Sequence, residues 1–166
     1  MSCSLTSRFQ GVAFACVYRI SERVGRSARE RRDAMLIEVE LFQVIINETS
    51  DSQVIVLKEK GGHRCLPIII GMFEALAINR RLNNVQIPRP LTHDLIENII
   101  EKLGGKLERI VVNDLRDNTF YARLEIRKNG KVMEVDSRPS DALALSVRTR
   151  VPIFVEENVL KKASGG

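Results

Sequence analysis

Laid over itself at an offset of 67 residues, the sequence matches without a gap, and the match extends from residues to turns to element order. Arg64 to Ile78 falls on Lys131 to Leu145, so Glu74-Ala-Leu-Ala-Ile78 stands over Asp141-Ala-Leu-Ala-Leu145. Val54 to Leu57 stands over Tyr121 to Leu124, Asn47 over Asp114, and Gly61-Gly62 beside Asn129-Gly130. One shared pentapeptide would be chance. A constant register that also aligns turns predicts a duplicated structural unit.

The unit itself follows from periodicity. Ile37, Val39 and Leu41 alternate with Glu38 and Glu40, the pattern of a half-buried strand. A turn at Asn47–Asp51 leads to a strand from Gln53 to Lys58, and Gly61-Gly62 reads as a hairpin turn into a strand from Arg64 to Ile70. Beyond Gly71, Phe73 to Leu82 reads as a helix apolar almost all round and is expected to be buried. The second copy predicts strands near 106–114, 118–128 and 131–137 and a helix near 139–149. Between the copies, Pro88-Arg-Pro90 stops the chain and Thr92 is the expected N-cap of a further helix. Its stripe is Leu95, Ile96, Ile99, Ile100 and Leu103, with His93, Glu97 and Glu101 expected on the wetter face and Gly104-Gly105 as the stop. A short strand at Pro152–Val155 and a helix at Glu156–Lys162 complete the domain, and residues 163–166 read as a frayed end. The expectation is an α+β domain over 35–162, with duplicated βββα units, a mixed or antiparallel sheet and buried helices.

Residues 1–34 share none of this pattern. They hold seven arginines against three acids, which is +4 of the chain's net +5, and leave 19 basic and 18 acidic residues for the rest. They read as a basic leader outside the fold. The near-neutral remainder does not grip a polyanion by bulk field, so nucleic-acid contacts there must be local. Cys3, Cys16 and Cys65 are odd in number without CxxC spacing, which argues against a disulfide framework and for a reducing, cytoplasmic setting. Cys65, in an apolar stretch, is expected to pack. No apolar run reaches the roughly 18–20 residues of a membrane span.

Two histidines leave little room for His-rich metal sites, and the sequence has no GxSxG, P-loop or GxGxxG. Carboxylates at element ends remain: Asp94, Asp114, Asp117, Asp136 and Asp141, with Glu74 as the repeat partner of Asp141. Each also has an ordinary structural use. Asp141 suits a helix first turn, Asp94 the dipole of its own helix, Asp114 and Asp117 a turn, and Asp136 a pair with Arg138. His93 is an ordinary face residue or a proton carrier. The run Asp136-Ser-Arg-Pro-Ser-Asp141 is the most specific feature. It gathers two carboxylates, a guanidinium and two hydroxyls at a strand-to-helix junction, where helix amides favour phosphate.

Leu66-Pro-Ile-Ile-Ile-Gly-Met-Phe-Glu-Ala75, Pro88-Arg-Pro-Leu-Thr-His-Asp-Leu95, Asp117-Asn-Thr-Phe-Tyr-Ala-Arg123 and Val135-Asp-Ser-Arg-Pro-Ser-Asp-Ala-Leu-Ala-Leu145 resemble the bifunctional nuclease family. The resemblance covers residues 35–160 and leaves out the leader. It implies an α+β fold, homo-oligomers with a dimer favoured, and degradation of both DNA and RNA. His93, Asp94, Asp114, Asp136, Arg138, Ser140 and Asp141 are the positions that match its motifs, the last four ranked first.

The leading expectation is therefore a nuclease dependent on Mg²⁺ or Mn²⁺. Asp136, Asp141 and Asp114 are its metal candidates, Asp94 a further carboxylate, and Arg138 the group offsetting transition-state charge. His93 is the proton carrier, and Ser140 and Arg89 are the substrate-binding candidates. The rival is a non-catalytic regulatory module that uses the Asp136–Asp141 junction to bind a ligand or partner. The low aromatic content, 5%, favours the rival over a general nucleic-acid binder.

Overall fold

The computed structural model describes residues 35–86 and 88–164. The expected leader at 1–34 and the last two residues of the expected frayed end lie outside them. The first β-β-β-α run is β1 (Leu36–Ile45), β2 (Ser52–Glu59), β3 (Cys65–Gly71) and α1 (Met72–Leu82). After α2 (Thr92–Lys102) comes the second: β4 (Lys106–Arg116), β5 (Thr119–Lys128), β6 (Lys131–Ser137) and α3 (Pro139–Thr149). The described chain finishes with β7 (Ile153–Glu156) and α4 (Glu157–Ala163).

All seven strands form one sheet in the order β3-β2-β1-β7-β4-β5-β6. β7 inserts between the two three-stranded runs, antiparallel to β1 and parallel to β4, so the sheet is mixed and the fold is α+β. Two hairpins rest on two-residue turns with both φ values positive, Asp117-Asn118 and Asn129-Gly130, the geometry that matches strand twist. Asp117 is thus a turn former.

Strand alternation assigns the two sheet faces. Ile55 and Leu57, Leu66 and Ile68, Ile110 and Val112, Leu124 and Ile126, and Ile153 and Val155 point to one face and form the core with Ala75, Ile78, Val159 and Leu160. Burying each such aliphatic side chain contributes about 1.5–3 kcal/mol. α3 is the central helix, with every residue from Ala142 to Ser146 buried. The opposite sheet face carries charge: buried Arg123 and Glu125 pair there, and Arg123 also meets Glu134 of β6.

Three expectations change. α1 is not buried all round; it buries Ala75 and Ile78 while Phe73 is 86% exposed. A single helix on the edge of the layer has only one face to cover. Cys65 is exposed, because alternation along β3 turns Leu66 inward and its neighbours outward. α2 begins at Thr92, with Leu91 in the capping position, and its wet and dry faces differ from those expected. Ile96 and Ile100 pack on the core, whereas Leu95, Ile99 and Leu103 are exposed.

Candidate functional site

The site is built on α3. β6 delivers the chain to Arg138, Pro139 opens the helix, where its missing N–H costs nothing, and Asp141 falls in the first turn. Arg148 lies seven residues later, two turns on, and so projects from the same side. α2 presents His93, Asp94 and Glu97 to that side. His93 Nε2 stands 3.2 Å from Asp141 Oδ1. Arg148 pairs through Nη1 with Asp94 and through Nε with Glu97. Asp94 also accepts the Leu91 N–H at 2.9 Å, closing the first turn of its own helix. His93, Asp94 and Glu97 of α2 therefore face inward beside Ile96 and Ile100, while Glu101 stays exposed. Charge pairing to α3 determines its orientation, and part of the apolar stripe is turned outward.

Asp141 is the hub. Its Oδ2 accepts from Arg138 Nε at 2.8 Å, and its Oδ1 from Arg138 Nη2 at 3.2 Å. Burial pushes its carboxyl up, but the hydrogen bonds from Arg138 and His93, together with the Arg138 charge, outweigh this and hold it below the usual carboxylate value. Arg138 Nη1 reaches Glu74 Oε1 at 3.0 Å. The two carboxylates that the 67-residue offset superposes, Glu74 and Asp141, thus meet at one guanidinium.

His93 and Asp94 open onto a cleft of about 340 Å³ between α1, α2 and α3. Arg80, Arg81, Pro88, Pro90 and Arg148 also line it. Arg89 is exposed between the two lining prolines. Arg138 and Ser140 instead face a wider depression of about 1070 Å³ on the other side of Asp141, bordered by Glu74 and Lys162. Ser140 is only 6% exposed.

The remaining candidates lie apart. Asp136 stands directly across from Arg123 in the β5–β6 register, on the charged sheet face, whereas Asp141 is on the helix side. Five residues of separation bring them close along the chain, but strand alternation sends their side chains to different faces. Nor does Asp136 pair with Arg138, which is taken by Asp141 and Glu74. Asp114 accepts from Lys162 Nζ at 3.0 Å, from Arg116 and from the Leu115 N–H. The Lys162 and Arg116 hydrogen bonds, helped by that of Leu115, hold its pKa down at about 2.

As placed, these carboxylates do not fit a divalent cation. No group of three His, Cys, Asp or Glu side chains suited to a metal occurs among the described residues. Asp141, Asp94 and Asp114 each already meet cationic side chains, so a metal would have to displace a guanidinium or ammonium. Sequence reasoning missed Arg148, Arg80 and Arg81. The seven-residue spacing of Asp141 and Arg148 was a readable signal for the first; nothing local marked the other two.

A model of the bifunctional nuclease domain matches residues 55–165. An uncharacterised protein of Mycobacterium tuberculosis is 43% identical over 126 residues, covering 76% of this chain and 75% of its own. Bifunctional nuclease 1 of Arabidopsis thaliana is 33% identical over 107 residues, covering 62% of this chain and 33% of its own. Bifunctional nuclease 2 of rice (Oryza sativa subsp. japonica) is 31% identical over 118 residues, covering 69% and 36%. The plant similarity thus spans about a third of those proteins. No helix among the described residues is long and apolar enough to cross a membrane. With the domain model covering most of the fold and the mycobacterial relative aligned over three quarters of both chains, the chain belongs to the bifunctional nuclease family.

Proposed function

We propose that this chain hydrolyses phosphodiester bonds of DNA and RNA in the cleft beside His93. The observation that carries the reading is the pairing of His93 Nε2 with the Asp141 carboxylate at 3.2 Å, in a cleft that also holds arginine side chains. With Asp141 ionised, Nε2–H donates to it, and Nδ1 keeps its lone pair. Nδ1 then takes a proton from water as the new P–O bond forms, and the resulting imidazolium returns it to the leaving oxygen as the old bond breaks. The guanidiniums of Arg80 and Arg81, which line the same cleft, offset the charge that develops on the phosphoryl oxygens. Asp141 is a positioning residue, held in place by Arg138. No step is routed through Mg²⁺ or Mn²⁺, since the donor set does not fit one as it stands.

The two β-β-β-α runs are read as a duplication, with the convergence of Glu74 and Asp141 on Arg138 in support. The exposed ridge of Leu95, Ile99 and Leu103 supports a homodimer, and cysteine usage supports a cytoplasmic location. The saturation of every site carboxylate by a cation favours the second reading, a non-catalytic module in which the cluster is a clamp beside an anion-binding cleft.

The test is cleavage of single-stranded DNA and RNA by wild type, His93→Ala and Asp136→Ala, each with Mg²⁺, Mn²⁺ or chelator. The cleft reading expects His93→Ala to lose about 10²–10⁴-fold and Asp136→Ala to keep its rate. A folded His93→Ala protein that cuts at the wild-type rate would move the assignment to the second reading.

A further inference from the structure

We propose that this cleft takes single-stranded polynucleotide and holds it by its phosphates, with Arg80 and Arg81 as the main contacts and Arg89 at the rim. The inference rests on the nuclease reading and names how the substrate is held. Arg64, Arg116, Arg123, Arg127, Arg138 and Arg148 are each ion-paired to a carboxylate. Arg80, Arg81, Arg89 and Arg150 have no carboxylate partner among the described residues and are all exposed, and the first three gather at the cleft or its rim. In a domain outside the leader that is nearly neutral, unpaired guanidiniums at one cleft create the local positive field that bulk charge does not supply. The dipole at the end of α1 suits Arg80 and Arg81, but Arg89 lies outside any helix and does not share that cause.

The dimensions select the strand. A cleft of about 340 Å³ is near the lower end of small-molecule pockets, roughly 300–1,000 Å³, and admits one nucleotide unit rather than a paired duplex. Its apolar lining is Ala77, Val85, Pro88, Pro90, Leu91 and Ala144, with no Phe or Tyr among the described lining residues. Asp94 is the acidic group in the lining, and Arg148 neutralises it. Recognition is then of backbone charge, indifferent to base and to the sugar 2′ position, and steeply dependent on salt.

The experiment is fluorescence anisotropy of labelled single-stranded DNA and RNA of mixed sequence, and of a blunt duplex, titrated with the full chain carrying His93→Ala. Arg80→Ala/Arg81→Ala is compared with Lys128→Ala/Lys131→Ala, which removes the same charge at the β5–β6 turn. The expected result is about tenfold weaker single-strand binding for the arginine pair alone, with the salt slope reduced by about 1.4 for two lost phosphate contacts. Duplex is expected to bind more weakly than either single strand. Equal losses for both double variants, no loss for the arginine pair, or tighter binding of duplex would each overturn the proposal. Cleavage of the same oligonucleotides by the chain with native His93 separates the two readings: arginine-dependent binding without histidine-dependent cutting removes the nuclease reading and leaves the docking intact.

Discussion

Removing Arg148 should loosen α2 more than a surface ion pair would suggest. The side chains of Arg148, Asp94 and Glu97 are 22%, 20% and 17% exposed, so these two pairs lie between surface and buried ion pairs. An exposed pair contributes about 0.2–1 kcal/mol, whereas breaking a buried one by removing one partner costs about 3–5 kcal/mol. Arg148→Met strips two carboxylates of a shared partner, and an intermediate cost of about 2–3 kcal/mol follows. α2 buries no residue completely and otherwise rests on half-buried Ile96 and Ile100, so little else compensates. For a domain between 100 and 150 residues this cost lowers Tm by about 8–12 °C. Calorimetry gives the magnitude, and amide exchange gives the location: Ile96 to Ile100 should lose protection while α3 keeps it. Adding Glu97→Gln to Arg148→Met should cost less than it does in the wild type, since the two share one interaction. A loss below about 0.5 kcal/mol, or exchange that rises evenly across the sheet, would refute the view that charge pairing orients this helix.

Two further outcomes follow. Asp114 should titrate at about 2 by carboxyl NMR, because Lys162, Arg116 and the Leu115 amide favour its ionised form; Lys162→Ala should move it toward the ordinary 3.8. A depressed carboxylate stabilises the fold above its unfolded pKa, so this contribution is complete above about pH 4 and fades as pH falls toward 2. Arg150 ends α3 with φ of 59°, a left-handed conformation that suits glycine better, so Arg150→Gly should raise stability by about 1 kcal/mol in chemical denaturation.

Most of the fold was legible because alternation and turn chemistry are local. The strands around Asn129-Gly130 and the helix after Pro139 fall within a residue or two of expectation, since each boundary carries its own signal. The insertion of β7 between β1 and β4 was not legible, because a four-residue strand does not name its neighbours. The face of α2 was misread for a related reason. Leu95, Ile96, Ile99, Ile100 and Leu103 make a stripe wider than the contact available, and the partner of Glu97 lies 51 residues away at Arg148. At the Asp136–Asp141 junction the pairing read for Arg138 was with Asp136, whereas Arg138 meets Asp141 and Asp136 leaves on the other face of a strand.

The central claim is that His93, steadied by Asp141, moves the proton in phosphodiester cleavage. Its most direct test is cleavage of single-stranded DNA by His93→Gly with and without added imidazole, which occupies the space of the missing ring. The account predicts a fall of about 10²–10⁴-fold that imidazole partly restores. A folded His93→Gly protein cutting as fast as wild type without imidazole would contradict it.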